Sequence, residues 1–131
     1  MAFEYPETLR YTDTHEYLHL DEDETVATVG ITAFAIDQLG DIVFLELPEE
    51  GDEISKGEKF GTIESVKAVE DLKAPVSGRV IAVNSGMVDA PENLADDPYV
   101  DGWLIKIEIS DIEETEQAMS ASMYRNMVEG A

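Results

Sequence analysis

The chain has 131 residues, 44% of them hydrophobic, and sets 8 Lys and Arg against 30 Asp and Glu for a formal net charge of −22. That length fits one domain with a modest core, and the apolar content is that of a folded chain. The charge would repel phosphates and anionic headgroups, which excludes nucleic-acid and membrane-surface partners, and the lack of cysteine excludes disulfides, thiolate metal sites and a cysteine nucleophile.

Residues 1–13 carry Glu4, Glu7 and Asp13 and lack the basic and apolar regions of a leader, so the expected location is the cytoplasm. Residues 17–20 and 25–29 are β-prone and predict a hairpin whose turn is the acidic tetrad Asp21-Glu22-Asp23-Glu24. Thr32 is a candidate cap for a short helix running to about Leu39, with Gly40 as its stop. Residues 41–47 read as a buried strand by their content of Ile42, Val43, Phe44 and Leu45, ended by Pro48. Turn signals then separate three short strands at 59–64, 68–72 and 79–84, and residues 85–102 form a long connection. In residues 103–109, Trp103, Ile105, Ile107 and Ile109 alternate with Lys106 and Glu108. Ser110 or Asp111 can cap a final helical region whose apolar positions are Met119, Met123, Tyr124 and Met127. Trp103 and the methionines are expected in the core. Many short strands with glycine turns predict a small all-β barrel or sandwich, with helices packed outside it. A single domain over 1–131 is expected, with a core of about residues 10–110 and a helical region of about 111–128.

The acids are spread along the chain, which is not the pattern of a charged tail. In the tetrad, Val26 stands where a calcium loop needs glycine. A carboxylate-rich surface adapted to high salt fits the distribution best, and with it a halophilic source.

Catalysis has little to stand on. With 30 acids a carboxylate pair can be proposed anywhere, so it carries no weight. His15 and His19 are the only histidines, and no nucleophile-elbow pattern accompanies them. Their segment reads as a strand, so both are taken as strand-surface or hydrogen-bonding residues. No phosphate-cradling loop and no metal-ligand spacing are present. Lys67 is different. It stands in Glu64-Ser65-Val66-Lys67-Ala68, between two expected strands, with Gly51, Gly61 and Gly78 bracketing it as the expected source of tight backbone geometry. A lysine on such a turn is presented in a fixed place. From the residues alone it is either an exposed surface lysine or a modification point.

The segment from Gly61 through Lys67 to Asp71, followed by Ala74-Pro75-Val76-Ser77-Gly78, resembles the lipoylation region of the glycine cleavage system H protein family. His15-Glu16-Tyr17, Ala27-Thr28-Val29-Gly30-Ile31-Thr32, Leu39-Gly40-Asp41-Ile42-Val43-Phe44-Leu45-Glu46-Leu47-Pro48, Asp97-Pro98-Tyr99 and Gly102-Trp103-Leu104 extend the likeness over roughly residues 10–128. Tyr17 stands where the family has Trp, and residues 88–95 depart from its common pattern, with Ala95 where Asn is usual.

The resemblance implies a barrel-sandwich hybrid of the lipoyl and biotinyl carrier type and no catalytic activity. It implies lipoate joined to Lys67 as an amide, with Glu64 helping the lipoate-attaching enzyme recognise the turn. The implied partners are a pyridoxal-phosphate glycine decarboxylase (P protein), an aminomethyltransferase (T protein) and a dihydrolipoamide dehydrogenase (L protein). The loaded arm is expected to rest against Glu16 and Asp71, with Thr14 a further candidate. Other readings stay open: an H-like relay in lipoate transfer, or an unmodified structural or interaction module. A biotin carrier would have methionines beside the lysine, where Val66 and Ala68 stand.

Overall fold

The structure, a computed structural model, describes residues 5–129. The expected domain limits at residues 1 and 131, and Glu4 of the acidic N-terminal segment, lie outside the described residues. A short strand β1 (Arg10–Tyr11) precedes β2 (Glu16–Leu20) and β3 (Val26–Ile31). Helix α1 (Ala33–Leu39) leads into β4 (Ile42–Glu46). Strands β5 (Glu53–Ile54), β6 (Lys59–Ser65), β7 (Val69–Lys73) and β8 (Gly78–Val83) follow. Then come α2 (Ser85–Asp89), a 3-10 turn over Pro91–Ala95 and β9 (Ile105–Ile109). A second 3-10 turn over Ile112–Gln117 and α3 (Ala121–Glu129) complete the described chain.

Six strands in the order β1-β2-β3-β9-β8-β5 form one sheet, and β4-β6-β7 form a second. Leu18, Val29, Leu45, Ile63, Leu72, Ile105 and Ile107, drawn from both sheets, meet in one buried core with Val76 of the β7–β8 connection. A second buried cluster joins the two ends of the chain. Tyr5, Leu9, Tyr11 and Tyr17 pack there with Ala121 and Tyr124 of α3, and the Tyr11 and Tyr124 rings stack at 4.9 Å.

Local chemistry accounts for the elements. The acidic tetrad is the turn of the β2–β3 hairpin: Asp21 accepts from the Thr25 and Val26 amides at 2.8 and 3.1 Å. Those amides, Val26 first, hold its carboxyl below the ordinary range. Thr32 caps α1 by accepting from the Ala35 amide at 3.3 Å, and Gly40 ends the helix at φ 85°, a conformation that suits glycine. The 3-10 turn over Pro91–Ala95 buries Pro91 and Leu94. The Tyr17 hydroxyl donates to Pro98 O at 2.6 Å, tying β2 to the long connection.

Three expectations need correction. β4 is not a buried strand: Ile42 and Leu45 are buried, but Val43 and Phe44 are about half exposed, at 50% and 48%. A register irregularity between Ile42 and Phe44 places two successive side chains outside. Apolar content alone does not say which face a strand buries. The methionines do not all enter the core either, because Met123 and Met127 lie on the exposed side of α3 while Tyr124 fills the buried position. Trp103 is half-buried, with the Lys106 ammonium over its ring at 5.1 Å.

Gly61 meets its neighbours through close approach. A Cβ there would lie 2.3 Å from the Glu46 carbonyl oxygen of β4. Gly61→Ala should therefore lower stability by about 2 kcal/mol, as overpacking does, read as a fall in the urea midpoint with an unchanged slope.

Candidate functional site

Lys67 is exposed on the turn between β6 and β7, at one corner of the three-stranded sheet. The turn is built by a serine and not by glycine. Ser65, only 4% exposed, accepts at Oγ from the Lys67 and Ala68 amides at 3.2 and 3.1 Å. Its own amide donates to Ala68 O at 2.8 Å, and the Val66 amide donates to Asp41 O at 3.1 Å. The expectation that Gly51, Gly61 and Gly78 make this turn is thus corrected. Gly61 and Gly78 allow close strand contact, and Gly51 takes its positive φ in the turn before β5. A side-chain hydroxyl can close a turn as a backbone group would, and this was the signal in the sequence that mattered.

Among the described residues Lys67 forms no ion pair within 4.0 Å. Its stem lies beside the end of α1, since a Cβ added to Gly40 would come 3.7 Å from Lys67 Cε. The position fits an acyl group joined through Nζ: the amine is open to solvent and its turn is held by neighbours that do not need its charge.

Next to this corner, between α1 and the edge of β6–β7, runs a groove of about 440 Å³. Thr14, His15 and Glu16 form one wall, Phe34, Gln38 and Leu39 another, and Ala68, Glu70, Asp71 and Leu72 a third. Three of the predicted site residues, Thr14, Glu16 and Asp71, therefore line one cavity beside Lys67. Glu64 does not join them. It lies half-buried on β6, paired across the strands with Phe44 and Val69.

The two carboxylates differ in kind. Glu16 is 2% exposed. Its Oε1 accepts from the Thr12 hydroxyl at 2.9 Å and from the Thr14 hydroxyl, and its Oε2 accepts from the Lys73 amide at 3.1 Å. Burial pushes its carboxyl above the ordinary range, and those donors oppose the shift. Asp71 is an exposed rim residue whose carboxylate faces Lys59 and Lys73 at 3.5 and 3.8 Å.

His15, expected as a strand-surface or hydrogen-bonding residue, is hydrogen-bonded and also belongs to the groove wall. At φ 76° it leaves the extended conformation just before β2. Its Nδ1 is hydrogen-bonded to the Tyr124 hydroxyl at 2.7 Å, which is in turn 2.8 Å from the Thr32 hydroxyl. Burial lowers its pKa, against the pull of Asp13. His19 is an exposed residue of β2.

A family model described as Glycine cleavage H-protein matches residues 9–131. The chain belongs to the glycine cleavage H-protein family. A glycine cleavage system H protein of Synechococcus sp. (strain JA-2-3B'a(2-13)) is 63% identical over 131 residues, 100% of each chain. One from Acaryochloris marina (strain MBIC 11017) is 62% identical over 130 residues, 99% of this chain and 100% of that one. The crystal structure of a glycine cleavage system H protein from Mycobacterium marinum superposes with a TM-score of 0.86 at 38% identity, covering 94% of this chain and 98% of that one. The two-sheet fold is thus the barrel-sandwich of lipoyl-carrying H proteins. The function is that of the H protein, a lipoyl carrier and non-catalytic component of the glycine cleavage system. Among the described residues no helix is long and apolar enough to cross a membrane.

Ser65→Ala removes the oxygen that closes the lysine turn. It should lower stability by about 1 kcal/mol and slow acylation of Lys67 by about the same free energy, roughly fivefold. Timed intact-mass measurements would show the rate, and a thermal melt the stability.

Proposed function

We propose that Lys67 is the lipoyl attachment point and that the groove beside it shelters the loaded arm. The observation that carries this reading is an exposed lysine, on a turn held by Ser65, next in sequence to Ala68 of a cavity that Thr14, Glu16 and Asp71 also line. In the acylation step the neutral Lys67 Nζ attacks the carboxyl carbon of lipoate activated as its adenylate. The resting ammonium has already given up one proton; the C–N bond forms, the bond to the AMP phosphate oxygen breaks, and Nζ loses a second proton, leaving an uncharged amide where the lysine charge was. Once attached, lipoate supplies a dithiolane that takes up the aminomethyl unit of glycine and is later restored by a flavin enzyme. The chain contributes reach, orientation and shelter. Glu16 offers a buried carboxylate to a cationic amine, Thr14 helps hold that carboxylate, and Asp71 stands at the rim as a further carboxylate, shared with Lys59 and Lys73. Excluding water from the groove slows loss of the cargo.

The partners on this reading are the glycine decarboxylase, the aminomethyltransferase, the dihydrolipoamide dehydrogenase and the lipoate-attaching enzyme, which reads Glu64 beside the turn. The setting is the cytoplasm of a halophilic prokaryote, where salt screens a net charge of −22.

The test is intact mass with peptide mapping after incubation with a lipoate ligase, ATP and lipoate. Acylation at Lys67 is expected, and an unmodified Lys67 would falsify the carrier assignment. Glycine–bicarbonate exchange by the decarboxylase, using the acylated chain, then separates glycine cleavage from a lipoate relay.

A further inference from the structure

The groove beside Lys67 is one-sided in charge. Glu16, Glu70 and Asp71 line it, and among the described residues no lysine or arginine does. Lys59 and Lys73 stay outside, facing Asp71 at the rim. His15 is thus the one lining side chain that can become cationic near neutral pH, and the neighbouring Asp13 pulls it that way. Beside it α1 brings only the uncharged Phe34 and Gln38, and α3 brings the Tyr124 hydroxyl.

Burial fixes the order of the hydrogens. Thr32 is 0% exposed; its Oγ1 accepts from the Ala35 amide and lies 2.8 Å from Tyr124 Oη, its other side-chain partner among the described residues. The Thr32 hydroxyl hydrogen therefore goes to Tyr124 Oη. Tyr124, also 0% exposed, gives its own hydrogen to His15 Nδ1, 2.7 Å away. An accepting Nδ1 makes His15 the neutral imidazole with its hydrogen on Nε2. A proton added at Nδ1 would leave one hydroxyl hydrogen, of Tyr124 or of Thr32, without an acceptor in a closed setting. Burial of the ring opposes its charging as well.

We propose that Tyr124 is a positioning residue that acts through His15: by holding the ring uncharged, as the Nε2–H tautomer, it keeps the groove selective for a cationic arm. This rests on the reading of the groove as the shelter of loaded lipoate. The cargo amine carries positive charge and the empty dithiolane carries none. A charged His15 would therefore penalise the loaded arm and leave the empty one untouched.

His15→Asn separates charge from structure. Asparagine tolerates the φ of 76° at this position, and its Oδ1 can accept from Tyr124, yet it gains no charge. Long-range proton–nitrogen NMR spectra of the unacylated chain, with the His15 signals assigned by their loss in this variant, should show Nδ1 bare and Nε2 protonated at neutral pH. Tyr124→Phe should give a mixture of the two tautomers. A protonated Nδ1 in the parent would overturn the proposal. The second measurement uses chains acylated at Lys67 and loaded from glycine by the decarboxylase, with loss of the aminomethyl unit followed by intact mass. Parent and His15→Asn should lose it at equal rates at neutral pH. As pH falls below the ordinary imidazole value of about 6.5, the parent should become about fivefold faster, the effect of one solvent-screened like charge. Glu16 titrates in both chains and cancels in the ratio. A ratio that stays constant with pH would also overturn the proposal. If the parent is not acylated at all, the carrier reading fails instead, and the spectra of the unacylated chain still decide the tautomer.

Discussion

Lys67→Arg should give a protein that melts at the parent's temperature and accepts no lipoate at all. The side chain is exposed and forms no ion pair among the described residues, so the fold has nothing to lose. Arginine keeps the positive charge and most of the length. It cannot supply a neutral amine, because the guanidinium stays protonated at any pH the fold tolerates. The loss of acylation is therefore chemical and not structural, and intact mass beside a thermal melt separates the two. The nearest lysines across the hairpin, Lys59 and Lys73, are drawn toward Asp71 and should not substitute. Acylation persisting in the variant would move the attachment point elsewhere.

Glu16 has the second largest expected effect, and its two obvious replacements should part company. Glu16→Ala leaves the Lys73 amide and the Thr12 and Thr14 hydroxyls without their acceptor in a nearly closed setting. Stability should fall by about 3 kcal/mol, at roughly 1 kcal/mol or more for each group left unpaired. Glu16→Gln can keep the network, with its carbonyl toward the Lys73 amide and its NH2 donating to the two hydroxyls. It also removes a buried charge. Because burial raises the Glu16 pKa above its unfolded value, the folded state binds the extra proton more readily. Protonation of Glu16 therefore adds stability as pH falls through its raised folded value, and that contribution is lost again as pH rises through it. Relative to the parent, Glu16→Gln should be at least as stable at neutral pH, with an advantage that shrinks on acidification toward the ordinary carboxylate range of about pH 4. Paired melts over that range check the sign. On the carrier reading the glutamine variant should nonetheless lose its aminomethyl cargo faster, which sets a folding role apart from a sheltering one.

What could be read in the chain and what could not differ for physical reasons. The β2–β3 hairpin, α1 with its Thr32 cap and Gly40 stop, and the strands around Lys67 follow from alternation, caps and turn residues, all local signals. Lys67 stood out through local sequence and family likeness together. The exposure of Val43 and Phe44 was hidden, because an apolar run does not reveal that its sheet buries only one face there. That His15 forms a hydrogen bond is among the expectations, but its partner and its place in the groove wall are not legible, because they rest on a positive φ and on Tyr124, which is 109 residues away in sequence. Glu16 was grouped with Asp71 as one of two similar acids. Only the strand pairing and the Thr12 and Thr14 hydroxyls turn one into a buried acceptor and leave the other at the rim.

The Tyr124 hydroxyl that reaches back to His15 and Thr32 gives the molecule an order in time. The three strands that carry the lysine turn are all present once residue 73 has been synthesised, whereas the groove gains its last anchor only with α3. A chain still emerging from the ribosome thus holds its exposed lysine turn before the wall of the neighbouring groove is anchored. A truncation or a bulky fusion that removes or displaces α3 would hold the protein at that immature stage, with the lysine turn in place and the His15 wall of the groove loosened.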